Sequence, residues 1–312
     1  MAASFTTKVI GQSTPVPGAD NSITVTLVTD IALNATSAIT ISGLTGAVVQ
    51  SPVTLLGAAA QTDVFSDGTT PGLGAWNSDA LELTVSSGKT MAAGTAYVVG
   101  FSVTNPSSAQ VSPTITVAAS GSATIAAAVM EKNGTTLLGV ANGADPLTVV
   151  VPTFSTKSVR QGTPVSGQSN EITVTLAANY DLIAHATTKV TISGLTGSGT
   201  ADDTALNVTT CHSNSLGRTG VWQRVSGKLV LTVGSTVHAN TACEVKFSLV
   251  NPMSDQLSPP GVSVQATVGD GSGGTFSITI TNMTKPGTAL FGVASGADPL
   301  TVSVPMFTVK SI

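Results

Sequence analysis

Apolar and polar residues alternate with period two along short stretches of this chain. Residues 23–27 read Ile-Thr-Val-Thr-Leu, and the same five residues return at 172–176. Ile-Thr-Ile-Ser at 39–42 and Val-Thr-Ile-Ser at 190–193 continue the pattern. Because successive side chains of a strand point to opposite faces, this alternation predicts strands with one buried face and one face lined by Thr and Ser.

Other matching segments predict further strands in the same order along the chain. They are 81–85 with 229–233, 101–103 with 247–249, 111–118 with 262–268, 125–130 with 276–280, and 147–151 with 300–304. The second of these pairs runs into Asn-Pro both times, which ends a strand and starts a turn. No segment has a convincing helical pattern, so we expect an all-β protein.

The strands recur because the chain contains two copies of one unit. Phe-Thr-Thr-Lys at 5–8 is followed 149 residues later by Phe-Ser-Thr-Lys, and the eleven residues at 139–149 return with one change at 292–302. A period of this length is that of a domain with its own core, not of a solenoid turn. We therefore predict domains at 1–153 and 154–306, followed by a segment, 307–312, that begins a third copy.

Many short strands separated by Gly, Pro and Asn turns predict a fold class for both domains. The expected fold is two tandem Ig-like antiparallel β-sandwich domains. Each unit exceeds the roughly 100 residues of an Ig domain, so we expect one long loop before Trp76 and before Trp222. Both tryptophans precede a recurring strand, which favours a core role over an exposed sugar platform.

Composition narrows the possible partners. Only 9% of residues are charged against a usual share of about 25%, and the net charge of −4 offers no basic surface for nucleic acid. Mean hydropathy is +0.36, yet no apolar run approaches the roughly 18 residues of a membrane helix. The first residues also lack the apolar segment of a signal peptide. We expect neither nucleic-acid binding nor membrane insertion.

The two cysteines lie in the second unit. Cys243 shares a strand face with Val245 and Phe247, which predicts that it is buried, and Cys211 lies in the expected long loop. These positions predict a loop-to-strand disulfide, with two free buried thiols as the alternative. His212 and His238 could complete a zinc site, but the ligands lack a recognised finger spacing, so solvated histidines beside a disulfide are favoured.

Acidic residues give weak metal signals. Asp145 and Asp298 recur in Gly-Ala-Asp-Pro-Leu, where an Asp before Pro caps its own turn, and this is favoured over a Ca²⁺ site. The pair Asp202 and Asp203 is a slightly better calcium candidate, but the first unit lacks it. We predict no metal and no cofactor.

No catalytic pattern belongs to the repeated unit. Serine is abundant, but no Gly-x-Ser-x-Gly turn leads from a strand into a helix. The three histidines all fall in the second unit. Because chemistry intrinsic to the fold would be expected in both copies, an enzyme is disfavoured.

Glycan acceptors are a stronger signal. Four Asn-x-Thr triplets match the acceptor pattern for N-glycosylation, at Asn34, Asn133, Asn207 and Asn282. A sandwich whose outer faces carry Thr and Ser instead of Lys and Glu needs another source of solubility. Covalent glycans would supply it, and coverage of those faces by other subunits is the alternative.

The recurring motifs Ile-Thr-Val-Thr-Leu, Ile-Ser-Gly-Leu-Thr-Gly, Phe-Ser-x-x-Asn-Pro and Gly-Ala-Asp-Pro-Leu-Thr-Val resemble a long tandem repeat in large extracellular surface proteins of microalgae and other protists. The resemblance covers both units. It implies an Ig-like fold, an extracellular or cell-surface location and no enzymatic role.

Two functions remain in competition. The first is a glycosylated structural repeat that assembles end to end, head to tail with copies of itself, into a filament or surface layer. The second is an adhesin-type module that recognises glycan, ice or another surface. For the first, the start of a third copy, with Phe307, Val309 and Ile312, is a candidate assembly strand that could pair with a sheet edge of the next chain. This hypothesis expects residues 149–159 to run as one unbroken strand shared by both domains.

Overall fold

The computed structural model describes residues 2–306, which fold into two compact units with their boundary between Val151 and Pro152. The regular structure of these residues consists of strands and two four-residue helices. The expectation of two tandem all-β domains is therefore confirmed. The candidate assembly residues Phe307, Val309 and Ile312 lie outside the described part of the chain.

The first unit contains thirteen strands and one helix. They are β1 (Phe5–Gln12), β2 (Asp20–Thr29), β3 (Leu33–Asn34), β4 (Ala38–Ser42), β5 (Val53–Leu56), α1 (Ala59–Thr62), β6 (Phe65–Ser66), β7 (Leu73–Asn77), β8 (Ala80–Val85), β9 (Thr90–Met91), β10 (Tyr97–Thr104), β11 (Thr116–Ser120), β12 (Ile125–Val129) and β13 (Glu131–Lys132).

In the described part of the second unit, residues 152–306, there are nine strands and one helix. They are β14 (Phe154–Gln161), β15 (Ser169–Ala178), β16 (Lys189–Ser193), β17 (Asp203–Thr210), α2 (Cys211–Asn214), β18 (Thr219–Gln223), β19 (Lys228–Thr232), β20 (Cys243–Val250), β21 (Ser263–Gly269) and β22 (Thr275–Asn282).

The first unit is a sandwich of two leaves. One leaf has the strand order β5-β10-β2-β1-β13 and the other has β12-β11-β4-β8-β7, and the leaves join where β5 pairs with β7. On the opposite side only Met130 separates β12 from β13, so one stretch of chain passes from the second leaf to the first. Strands that change leaf leave little open edge for unwanted pairing.

The second unit has the same plan. Its strands follow the order β14-β15-β20-β17-β18-β19-β16-β21-β22. Strand β17 joins the leaves, because Val208–Thr210 pairs with β20 while Asp203–Asn207 pairs with β18. Beyond β22, Thr284 forms a parallel bridge with Ser158 of β14 and so reaches the first leaf.

The core lies between the leaves and follows the alternation in the sequence. In β2, Ile23, Val25 and Leu27 are buried, whereas Thr24 is exposed. Ile39 and Ile41 of the other leaf belong to the same core cluster. Burial of each such side chain stabilises the fold by about 1.5–3 kcal/mol relative to exposure.

The Gly-Leu-Thr-Gly turns recur for a steric reason. Gly43 and Gly194 have φ values of +90° and +87°, which L side chains rarely adopt. A Cβ atom at Gly43 would collide with the carbonyl oxygen of Thr114, and one at Gly194 would collide with that of Gly261. Only glycine fits either position.

The structure differs from the sequence predictions for one strand of the first unit and for the long loop of both units. The strand expected at 111–118 begins only at Thr116, and Val111 is 89% exposed. Pro113 cannot donate to a sheet, and the Gln110 N–H donates to the carbonyl of Val149. The expected long loop is also partly regular, since β5, α1 and β6 occupy it; in the second unit, β17 and α2 do so.

The predicted closing strands at 147–151 and 300–304 are not strands either. Leu147 and Leu300 have φ values of +58° and +56°, inside turns that Asp145 and Asp298 begin. The closing residues of the first unit make one isolated bridge, Val149 with Gln110, and those of the second unit make two, Val302 with Gln256 and Ser303 with Val165. Residues 150–153 lie outside strands, so the unbroken strand expected at 149–159 is absent.

Candidate functional site

The cysteines form a disulfide between the first residue of α2 and the first residue of β20. The Cα atoms of Cys211 and Cys243 lie 5.1 Å apart, and Cys243 is 1% exposed. Since the two sulfurs bond to each other, neither is free to ligate zinc. His212 is exposed, and His238 Nδ1 lies 3.6 Å from a carboxylate oxygen of Asp181.

The first unit has a tyrosine where the second unit has the disulfide-bonded Cys243. Leu27 pairs with Tyr97 just as Leu176 pairs with Cys243, so Tyr97 occupies the equivalent place. The Tyr97 ring packs edge-on against Phe65 at 5.8 Å, and the Gln61 side chain accepts a bond from the Val98 N–H at 3.1 Å. Aromatic packing therefore connects β6 to β10, and an amide connects α1 to β10, where the second unit has a covalent bond.

The four candidate glycan acceptors are all exposed. Asn34 lies in β3, Asn133 follows β13, Asn207 lies in β17 and Asn282 ends β22. An acceptor must be reachable by solvent, and each of these meets that requirement. No acceptor occupies an equivalent position in the other unit.

The predicted core tryptophans differ in burial. Trp222 is 1% exposed, and its indole N–H donates to the Thr200 carbonyl at 3.3 Å. Trp76 is half-buried and packs against Phe101 with 6.4 Å between ring centroids. Each unit thus has one tryptophan in contact with its interior.

The acidic candidates accept backbone N–H groups, and the side chains of Asp145 and Asp298 do so from residues 11 positions away, not from their own turns as expected. Asp145 accepts the Gly134 N–H at 2.7 Å, and Asp298 accepts the Gly287 N–H at 2.6 Å. Asp203 likewise accepts the N–H of Ala205. In residues 2–306 no group of three or more His, Cys, Asp or Glu side chains is placed to hold a metal ion.

The structure contains a buried cluster of amide side chains that the sequence patterns did not predict. In the first unit the Asn21 side chain donates to Gln12 Oε1 and to Asn105 Oδ1, both at 2.8 Å. Gln12 Nε2 donates to the carbonyls of Gly143 and Thr148 at 2.7 and 2.8 Å, and Gln12 Oε1 accepts the Leu147 N–H. We call Gln12, Asn21 and Asn105 the amide clasp of the first unit.

The second unit has the same amide clasp, made by Gln161, Asn170 and Asn251. Asn170 donates to Gln161 Oε1 at 2.7 Å and to Asn251 Oδ1 at 2.8 Å. Gln161 bonds to the backbone of Gly296, Thr301 and Leu300. The same three amide residues recur at matching places in the two repeats. This recurrence could have predicted the cluster, because polar residues that recur within apolar strands indicate a buried hydrogen-bond network.

A surface groove also recurs. In the first unit it has a volume of about 460 Å³ and lies between residues 109–112 and the closing segment 141–150. In the second unit residues 255–257 and 293–303 enclose about 370 Å³ at the equivalent place. Val111 and Leu257 line the two grooves and are 89% and 88% exposed. We call these the paired grooves.

A larger depression of about 700 Å³ occurs on the second unit. Glu171, Asp203, Arg218 and Lys246 give it charges of both signs. In the first unit, strand register places Ser22 at the position of Glu171 and Gly100 at that of Lys246. This polar surface is therefore not a property of the repeated fold.

No helix in residues 2–306 is long and apolar enough to cross a membrane. No family model matches the chain, and no curated protein matches it.

Solved structures resemble its fold at low sequence identity. The C-terminal domain of the AgI/II polypeptide BspA of Streptococcus agalactiae is 9% identical, with a TM-score of 0.41 over 88% of this chain and 98% of that one. A B domain of a biofilm-associated protein is 7% identical, with a TM-score of 0.27 over 96% and 84% of the two chains. A partial N-terminal region of an enterococcal surface protein is 8% identical, with a TM-score of 0.27 over 90% and 95%. Likenesses of this size assign neither a family nor a ligand to the chain.

Proposed function

We propose that this chain is an extracellular structural repeat protein that carries glycans and assembles end to end with copies of itself into a filament or surface layer. The observation that carries the proposal is the path of the chain through each unit. The chain enters at one end of the first strand and leaves beside the other end.

The entry end is fixed by bonds to the last residues of the second strand. In the first unit the Ser4 N–H donates to Asp30 Oδ1 at 2.8 Å, and Phe5 pairs with Thr29. In the second unit the Thr153 N–H donates to Asn179 Oδ1 at 2.7 Å. We call the positions of Ser4 and Thr153 the entry ends.

The exit end lies at the far end of the same strand. β1 has eight residues, which at about 3.3 Å per residue span about 25 Å. Beyond its last residue the Pro15 carbonyl accepts the Val150 N–H at 3.0 Å, and the Pro164 carbonyl accepts the Ser303 N–H at 2.7 Å. We call the positions of Val150 and Ser303 the exit ends.

Units that the chain crosses from end to end suit an extended array, because each added copy lengthens the chain path. Low charge and exposed acceptors fit a glycan-coated surface, and the resemblance of the repeated motifs to microalgal and protist surface proteins supports the same setting. The proposal requires no catalysis and no cofactor.

The contact between chains is proposed to use residues 307–312. In the described part of the chain, β13 pairs with only Val9 and Ile10 of β1. The outer edge of the first half of β1 is thus a place where a strand from another copy could pair. Such a contact is head to tail and propagates.

Electron microscopy of the native protein, combined with intact mass, tests the proposal. We expect long fibres and a mass above that of the 30.9 kDa polypeptide. Deletion of residues 307–312 should abolish or shorten the fibres. A dispersed monomer of unmodified mass would refute the structural role, while fibres unchanged by the deletion would refute strand donation alone.

The paired grooves favour a second candidate function, an adhesin-type module that recognises glycan, ice or another surface. A groove that recurs in both units and carries an exposed apolar residue has the concave shape and apolar lining of a ligand site. Binding to a glycan array or to ice that is lost in Val111→Asp with Leu257→Asp, and kept in Val225→Asp, would support it. Val225 is equally exposed but lies outside both grooves.

A further inference from the structure

The amide clasp joins the strand on which each unit begins to the segment on which it ends. Gln12 is the last residue of β1, and its side chain makes three hydrogen bonds to the closing segment, to Gly143, Leu147 and Thr148. Gln161 of β14 makes the equivalent three bonds at 2.7 Å each. The chain returns to the end of its own first strand after about 135 residues.

This connection lies on the line along which a tethered unit would be pulled. Tension applied to the chain enters at Ser4 and leaves at Val150, at opposite ends of β1. The hydrogen bonds of an antiparallel pair run perpendicular to the strands. A pull along β1 therefore loads its pairs with β2 together instead of opening them one at a time.

The closing segment has fewer backbone anchors than β1. Its bonds to the rest of the first unit include the Val149–Gln110 bridge, the Val150 bond to Pro15 and the Gln12 side chain. Without the clasp, tension at the exit end would act on separate backbone contacts, which are the Val149–Gln110 bridge, the Val150 bond to Pro15 and the bond from the Gln12 N–H to the Ala144 carbonyl, and these can open one after another. With the clasp, part of the tension passes directly into β1.

Burial strengthens the clasp. Gln12 is 9% and Gln161 4% exposed, and Asn21 and Asn170 are almost fully buried behind them. Water cannot readily replace hydrogen bonds in such a place, and a chain of buried amide bonds is mutually reinforcing. Asn105 completes the cluster by donating to the carbonyls of Thr14 and Val16, which follow β1.

We propose that the amide clasp is a mechanical fastener that lets each unit withstand tension along the chain. The function so assigned is resistance to force between the two ends of the protein, and it does not depend on whether the exposed faces bind a ligand. The presence of the same three amides in both units gives an array a fastener in every repeat.

Single-molecule pulling of the full chain from its two ends tests this, and the disulfide identifies which unit unfolds. Cys211 and Cys243 are 32 residues apart, so the oxidised second unit releases about 110 Å less chain than the reduced one. The two unfolding steps therefore differ in length. Each unit then serves as the internal control for a variant in the other.

Gln12→Met keeps the side-chain length and removes the amide. We expect unfolding of the first unit at a fixed force to become about tenfold faster or more, with the second unit unchanged. Gln161→Met should give the converse. The matched control is Leu83→Ala in β8 of the other leaf, which removes buried contacts off the line of tension.

For each variant the increase in the rate of forced unfolding is divided by the loss of thermal stability, and the two ratios are compared. If the clasp had only a general structural role, the ratios would be equal. If Gln12→Met speeds forced unfolding no more than Leu83→Ala, the proposal is wrong. If Gln12→Met prevents folding of the first unit, Gln161→Met in the second unit replaces it, since Gln161 makes the same three bonds to its own closing segment. Unchanged forced unfolding in that variant would also overturn the proposal.

Discussion

The side-chain oxygen of Gln12 accepts a hydrogen bond from the backbone N–H of Leu147 at 2.7 Å, although 135 residues separate them. Leu147 has a φ of +58° and lies outside the strands, so its N–H bonds to this side-chain amide and not to a neighbouring strand. The bond replaces the strand pairing that the sequence led us to expect.

The amide clasp should be a large contributor to thermal stability. Asn105→Ala removes three buried or partly buried hydrogen bonds, those to the Thr14 and Val16 carbonyls and the one from the Asn21 amide, which costs about 1–3 kcal/mol. For a unit of this size that lowers Tm by about 2–4 °C per kcal/mol. Fluorescence of a Trp222→Phe background, which leaves Trp76 as the reporter of the first unit, measures it. Asn34→Ala, exposed, is the control, and an equal loss there would contradict the prediction.

The disulfide should stabilise only the second unit. Replacing both Cys211 and Cys243 by Ala should lower its free energy of unfolding by about 3–4 kcal/mol, because the closed loop has 32 residues. Denaturant titration followed by Trp222 in a Trp76→Phe background should record the loss. The Trp76 signal in the converse background should not move. Thiol labelling of the unreduced, denatured wild-type protein should find no free cysteine.

The second unit should lose stability in alkali. Burial raises the pKa of Tyr180 above its ordinary value of 10.0. In the unfolded chain the phenol ionises near pH 10, whereas in the folded unit it stays neutral, so stability is full below that pH and declines above it. Denaturant titrations between pH 9 and about 11 should show the decline, and Tyr180→Phe should reduce it. A wild-type profile as flat as that of the variant would count against the prediction.

The entry end of the first unit should be sensitive to acid. Hydrogen bonds from the Ser4 backbone and hydroxyl lower the pKa of Asp30 below its ordinary value of 3.8. The group therefore adds stability above that pH, and the contribution is lost as pH falls through the lowered pKa. Asp30→Asn should remove this dependence, since Asn179 makes the equivalent bond in the second unit without a charge. Acid titration of both proteins, followed by Trp76, checks it, and identical curves would refute it.

The repeat and most of the strands could be predicted from the amino-acid sequence alone. Alternation identified β2, β4, β8 and β10 and their copies, because one face of each strand packs against a single core and period two is the only pattern that allows this. It also placed Cys243 on a buried face and Cys211 near it, and the structure has a bond between them.

How each unit closes depends on contacts that form only when the chain folds. The apolar pattern of Leu147 to Val151 predicts a strand. In the structure the N–H of Thr148 bonds to Asp145 in a turn and the N–H of Leu147 bonds to the buried amide of Gln12, so neither pairs with a strand. The partners of a backbone N–H depend on groups that folding brings within 3 Å, and those groups lie more than a hundred residues away in sequence. Periodicity records which side chains avoid water, and it carries no information about which distant amide a turn will meet.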